Sequence, residues 1–319
     1  MNIGDRERTA TRWQRISPQR VDHRVTAEQP RLFLIDGSAY IFRAFYAIPA
    51  AKNSGGLPVN AVFGFTNLLL KLLKRHRPEY AVVALDAGRK TFRNQIFPGY
   101  KANRPTLPDS LLAQIPYFRR MLQGLNLALL EASGYEADDI IATLCDRLCQ
   151  EQCRLVVVSS DKDLMQLVTD RISLLDSASE RWIGVAEVER KFGVTPEKVV
   201  QVIGLMGDPV DNIPGVEGIG EKTAIALIRQ FDTLENLFNR LDEVERVTLR
   251  GAARLRKMLE GGKEAAFLSR ELATVKRDIP IAAGLQELKF TGFNHEKLRS
   301  LFVELEFTNL IALLDHDRL

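Results

Sequence analysis

Histidine and cysteine are scarce in this chain, four and three in 319 residues. Cys145, Cys149 and Cys153 follow one another at i, i+4, i+8. An odd count gives no disulfide framework, and no histidine lies near enough in sequence to complete a metal site with them. They read as reduced thiols along one helix of a cytoplasmic protein. No apolar run approaches the ~20 residues that cross a bilayer, and the N-terminus lacks the continuous apolar segment of a secretory signal. There is no internal repeat and no low-complexity tract. Acids are missing altogether between Asp86 and Asp109, where Arg89, Lys90, Arg93, Lys101 and Arg104 fall. The net charge of +3 hides this local basic stretch, which suits a polyanionic substrate.

What is present begins with three apolar runs that each lead to an aspartate: Leu32–Ile35 before Asp36, Ala81–Leu85 before Asp86, and Leu155–Val158 before Ser159, Ser160 and Asp161. Short Val/Leu/Ile-rich runs between helical stretches predict buried parallel strands. Ligands of such sheets bind beyond the carboxyl ends of the strands, so three carboxylates are expected at one edge. A single aspartate after a strand is ordinarily a helix cap or turn residue; three of them, with more acids close behind, ask for another reason.

Residues 1–30 are polar and arginine-rich without an apolar face, and predict a flexible extension. Strand and helix then alternate, with helices expected near Ala61–Arg75, Leu111–Leu122 and Ala137–Gln150, which predicts an α/β core over 31–190 with a central, mainly parallel sheet flanked by helices. After about residue 187 the long strands cease. Helices are expected at Pro196–Met206, Glu221–Gln230, Thr233–Leu241, Val247–Leu259, Lys263–Lys276 and near His295–Glu304, forming a helical subdomain over 191–319.

Six further acids stand out. Glu136, Asp138 and Asp139 open a helix; Asp163 follows Asp161 by two; Asp208 and Asp211 would share a face at i, i+3 if helical. Acids at a helix start also suit the helix dipole, and Asp208 with Asp211 suits a capped turn. If all converge, like charges at ~4 Å repel by about 4 kcal/mol per pair at an effective dielectric of 20, so the cluster needs cations. An all-carboxylate set without His or Cys fits Mg²⁺ or Mn²⁺, and its size fits two ions ~4 Å apart, the arrangement that runs in-line phosphoryl chemistry. Lys101 and Arg104 are the nearest basic groups to share the phosphate charge.

Gly215-Val216-Glu217-Gly218-Ile219-Gly220 joins two helical segments, with Glu221-Lys222-Thr223 opening the second. It reads either as an ordinary αα connection or as a backbone grip on nucleic-acid phosphates, Lys222 adding charge.

These motifs together resemble the 5′-nuclease (flap endonuclease) family, most of all the 5′→3′ exonuclease domain of bacterial DNA polymerase I. The matching stretches are Leu34-Ile35-Asp36-Gly37-Ser38, Phe92-Arg93 through Tyr100-Lys101-Ala102-Asn103-Arg104, Gly134 through Asp139, Asp161 through Leu164, and Gly207 through Ala224. They stand in family order over about Arg31 to Leu314. The resemblance implies a PIN-like 5′-nuclease core and two Mg²⁺ or Mn²⁺ ions, the first on Asp36, Asp86, Glu136, Asp138 and Asp139, the second on Asp161, Asp163, Asp208 and Asp211. It implies a helical arch around 88–120 that admits a single-stranded 5′ end, Lys101 and Arg104 as the active-site basic pair, and Arg43 at the base of the site. A helix–hairpin–helix (helix–three-turn–helix) element falls on about 205–230, where relatives hold K⁺ and duplex phosphates. Arg93, Tyr100, Gly215, Gly218, Gly220, Lys222 and Thr223 are the DNA contacts this implies.

The implied activity is structure-selective 5′→3′ exonuclease and flap endonuclease cleavage of DNA with 5′ flaps, nicks or RNA primers, in replication and repair, by a monomer beside a separate DNA polymerase. Pro209-Val210 replace the small polar residues usual between the two acids, and the extension 1–30 is absent from most relatives. The chain stops where a polymerase would continue, so a free-standing nuclease or an excised domain without polymerase activity is expected. Two other readings exist. A non-catalytic DNA-binding scaffold is opposed by the full acid set. A small-molecule phosphatase gives no reason for the basic segment or the glycine hairpin.

Overall fold

The structure is a computed structural model that describes residues 29–151, 153–246 and 252–315; the expected extension lies almost wholly outside the described residues. The three apolar runs form β1 (Arg31–Asp36), β2 (Tyr80–Asp86) and β4 (Arg154–Val158), joined by β3 (Ala128–Ala132), β5 (Ile172–Asp176) and β6 (Arg181–Ile183). The described residues make a six-stranded sheet in the order β3-β2-β1-β4-β5-β6. All pairs are parallel except β5–β6. The chain runs outward from β1 to β3 on one side and returns to the other side at β4, so a crevice opens beyond β1 and β4 where the order reverses.

Alternate side chains of each strand feed two cores, as the two-residue strand period requires. Phe33, Ile35, Val83 and Val156 pack with the helices Gly37–Ala47, Asn60–His76 and Ile115–Gly124. Leu32, Leu34, Val82 and Val157 pack with Ala137–Leu148, and that core runs on without interruption into Val199–Met206, Glu221–Phe231 and Ala252–Ala273. The later helices are therefore welded to the sheet on one side. The chain end differs from expectation: Leu298, Leu301, Phe302, Phe307, Leu310 and Leu314 return to the opposite face, beside Phe118 and Leu122. Amphipathic spacing marks an apolar face but not which layer receives it.

Two other expectations change. The segment around 88–120 is not one helical arch: short helices at Phe92–Ile96 and Asp109–Leu112 flank a stretch of turns, and from Leu111 the chain is already core, with Leu111, Phe118 and Met121 buried. The two helices expected on either side of Gly261-Gly262 are one, Ala252–Ala273. Among the described residues no helix is long and apolar enough to cross a membrane.

Candidate functional site

The β1/β4 register sets Ile35 beside Val158, so Asp36 and Ser159 emerge together at the crevice. Ser159 Oγ donates to Asp36 Oδ2 (2.8 Å) and accepts from the Asp161 amide (3.0 Å), and the Asp163 amide donates to Asp161 Oδ1 (2.8 Å). Asp36 also caps the helix behind it, accepting from the Ala39 amide at 3.0 Å, so the ordinary role of an aspartate after a strand is filled here as well. On the other flank Ser38 Oγ accepts from the Asp86 amide (2.9 Å), and Asp86 Oδ1 accepts from the Ala137 amide (2.8 Å) at the start of the helix that carries Asp138. In the sequence the only mark of Ser38 and Ser159 as site residues is their position just past the apolar runs.

Electrostatics ties these acids together. Burial, helped by Asp86 and Asp161, pushes the Asp36 carboxyl up to about 7. Asp138 is raised well above the carboxylate range by burial, then by Asp36 and Asp161. Asp163 is raised by burial, then by Asp161, with Asp208 and Asp211 adding to it. Asp163 Oδ1 is buried with no hydrogen-bond partner. These carboxylates lack positive charge.

Basic side chains cover the rest. Lys101 Nζ lies 2.9 Å from Glu136 Oε2 and 3.5 Å from Asp211 Oδ2, Arg104 pairs with Asp211, and Lys162 Nζ lies 2.9 Å from Asp208 Oδ2. Burial disfavours the Lys101 charge, but Glu136, Tyr100 and Asp211 outweigh it and hold Lys101 protonated above its usual range. Lys162 is marked in the sequence only by its place between Asp161 and Asp163. Among the described residues no three carboxylates surround one point as ligands of a single cation do. The oxygens of Glu136, Asp208 and Asp211 instead face these basic groups. The donor set still fits hard divalent ions: it is all oxygen, it is short of positive charge, and it includes one buried oxygen with no partner.

Four of the expected site residues are held by partners within the protein. Asp139 is fully buried, and its oxygens accept two bonds from Arg93 (2.8 Å each), one from the Glu136 amide (3.0 Å) and one from the Lys276 amide (2.9 Å). No oxygen is left for a metal. Arg93 is buried in the same pair and also donates to the Leu272 carbonyl (2.8 Å), so it offers DNA no face. Tyr100 is buried with its hydroxyl 3.1 Å from Glu136 Oε2, where it holds a site acid rather than DNA. Gly215 is buried, its amide donating to Ser269 Oγ (2.8 Å), and it packs on Gly207. Both have positive φ, 63° and 69°, and a side chain at Gly207 would meet the Ile213 carbonyl at 2.5 Å. These two glycines fold the loop rather than approach a ligand.

Asp208 and Asp211 do not share a helix face. Asp208 and Ile213 exchange backbone hydrogen bonds (2.9 and 2.8 Å) around a turn through Pro209 and Val210, closed by Asn212 at φ 55°. Further along, Gly218, Gly220 and Lys222 are exposed at the start of the helix Glu221–Phe231, and Thr223 is half-buried. Arg43 stands on the first helix, partly exposed, 3.5 Å from Asp176 at the end of β5.

The family model "5'-3' exonuclease, N-terminal resolvase-like domain" matches residues 31–193, and "5'-3' exonuclease, C-terminal SAM fold" matches 194–296. DNA polymerase I of Bacillus subtilis is 40% identical over 298 residues, covering 91% of this chain but 33% of that protein. The chain thus spans about a third of the polymerase's length. A 5'-3' exonuclease of Aquifex aeolicus is 36% identical over 89% of this chain and 95% of its own length. Among solved structures, the T5 5'-exonuclease with bound zinc superposes with a TM-score of 0.61 at 23% identity, over 76% of this chain and 89% of that one. The catalytic core of Rad2 in complex with DNA substrate superposes at 0.57 and 16% identity, over 89% of this chain and 92% of that one. At these identities the structures speak for the fold alone.

Proposed function

Since the chain belongs to the 5′-3′ exonuclease family, we propose that it is a structure-selective 5′ nuclease that hydrolyses phosphodiesters in DNA carrying 5′ flaps, nicks or RNA primers, in replication and repair. The observation that carries this reading is the gathering of Asp36, Asp86, Asp161 and Asp163 at the β1/β4 crevice through Ser38, Ser159 and backbone amides, beside the acid-free segment that bears Lys101 and Arg104. Asp36, Asp86, Glu136 and Asp138 would hold one divalent ion, and Asp161, Asp163, Asp208 and Asp211 a second. Mg²⁺ or Mn²⁺ held by these acids would supply Lewis acidity to activate water at neutral pH and positive charge to offset that of the phosphate.

The chain's own groups do the rest. Lys101 and Arg104 exchange Glu136 and Asp211 for phosphate oxygens and stabilise the developing charge. Arg43 faces the strand entering at the base of the site. Gly218, Gly220, Lys222 and Thr223 bind duplex phosphates without reading bases, and the hairpin carbonyls would hold K⁺. The same reading takes the α/β core over 31–190 as the chemical unit and the helices after 191 as the duplex grip, in a cytoplasmic monomer.

The test is product mapping on a nicked duplex with a labelled 5′ flap. Cleavage at the junction is expected with Mg²⁺ and not with EDTA. Asp161→Asn is expected to lower the rate at least a hundredfold while duplex affinity stays within a few fold. Cleavage by Asp161→Asn at the parent rate would remove the acid cluster from the chemistry.

A further inference from the structure

Two loops meet at the mouth of the crevice. One, 99–104, carries Lys101 and Arg104; the other, 208–212, carries Asp208 and Asp211. They are distant in sequence, yet three hydrogen bonds stitch them together. Asn212 Nδ2 donates to the Gly99 carbonyl (2.6 Å), Asn103 Nδ2 donates to the Pro209 carbonyl (2.8 Å), and the Lys101 amide donates to the Asp211 carbonyl (2.9 Å). Each loop thus lends an asparagine side chain to the other's backbone. Both asparagines are exposed, so neither is there to fill a core.

The local geometry depends on this seam. Lys101 holds φ of 54°, a region that a lysine enters only when its surroundings enforce it, and Asn212 holds 55°, which asparagine adopts readily. A Cβ at Gly99 would meet the Phe97 ring at 2.7 Å and lie 3.3 Å from Asn212 Nδ2, so the glycine is required first by its own loop and also leaves room for Asn212. An asparagine that merely closed its own turn would bond within its own loop; these two bond across the gap.

We propose that Asn103 and Asn212 are positioning residues that lock the loop of Lys101 and Arg104 to the loop of Asp208 and Asp211, so that the basic pair and two of the second ion's acids are placed as one unit. Loosening either loop loosens the other. The catalytic consequence rests on the nuclease reading above; the mechanical coupling does not.

The test uses the full chain with Asn103→Ala, Asn103→Gln and Asn212→Gly. Glycine accepts the positive φ at 212 and removes the side-chain donor, with some added backbone freedom in its own loop, and Asn103→Ala removes the other donor without that change. In metal-free protein, amide hydrogen exchange over 99–104, the Lys101 amide above all, is expected to speed up about tenfold in Asn212→Gly, while β1 and β4 amides keep the parent rate and report an intact fold. In single-turnover cleavage of a flap duplex with Mg²⁺, Asn103→Ala and Asn212→Gly are each expected to slow the reaction about tenfold or more, as misplaced groups do, with duplex Kd within twofold and partial recovery in Asn103→Gln. Parent-rate exchange over 99–104 in Asn212→Gly would overturn the coupling, as would a loss confined to Kd. If the parent chain cleaves nothing, the nuclease reading fails while the exchange result still decides the coupling.

Discussion

Asp139 and Asp163 are buried carboxylates with opposite surroundings. Asp139 is saturated by Arg93 and two backbone amides. Removing one partner of a buried ion pair strands the other charge and costs about 3–5 kcal/mol, so Asp139→Ala is expected to lose that much in urea unfolding, with or without metal. Asp163 is pressed by Asp161, Asp208 and Asp211, and one of its oxygens has no partner. Neutralising it relieves repulsion, so Asp163→Asn should stabilise the metal-free protein at neutral pH by on the order of 1 kcal/mol and abolish the extra stability conferred by Mg²⁺. Equal losses from both substitutions would mean that Asp163 is a structural acid like Asp139. No local signal separates the two in the sequence. Each is an acid two or three residues after another acid, and only the long-range meeting with Arg93 distinguishes them.

At the level of elements, the helix Ala252–Ala273 and the glycine hairpin constrain each other. Gly262 sits where a Cβ would lie 2.5 Å from Val216 Cγ1 and 3.2 Å from its Cβ, whereas at adjacent Gly261 nothing lies within 4 Å. Glycine costs a helix interior about 1 kcal/mol relative to alanine. Gly261→Ala should therefore stabilise by about that amount and leave DNA binding alone. Gly262→Ala should lose the gain to the clash and, by displacing Val216, weaken flap-duplex affinity several fold in a titration. Matching effects at the two positions would deny the notch its role. Read as a sequence, Gly261-Gly262 looks like a break between helices, because a glycine required for close approach and one that ends a helix are the same letter. The runs that became β1, β2 and β4 were legible since they are continuous, apolar and buried. β3 is only partly buried, and β6 is three residues long, too little pattern for either to register. The i, i+3 spacing of Asp208 and Asp211 leaves a helix face and a capped turn both open; Pro209 and the positive φ of Asn212 make it the turn.

Across the whole molecule, one sheet edge gathers acids from strands, loops and helices that are far apart in the chain, and both cores hold that edge in place. The fold therefore keeps up a repulsion that the unfolded chain does not feel. The sign of its pH dependence follows. Asp36 titrates near 4 when unfolded but is pushed up to about 7 when folded, by burial and by Asp86 and Asp161. Below about 4 both states are protonated and the group does not matter. Between about 4 and 7 the unfolded chain releases the proton that the folded chain retains, so stability falls with rising pH and stays low above 7; the raised carboxyls of Asp138 and Asp163 act in the same direction. A divalent ion reverses this, since it binds the ionised carboxylates and displaces their protons. Melting temperature in EDTA should accordingly drop between pH 5 and pH 8, and the increment given by Mg²⁺ should be larger at pH 8 than at pH 5. A metal increment independent of pH would mean that these acids are not its ligands, and an EDTA curve that rises over the same interval would mean that the crevice is not short of positive charge.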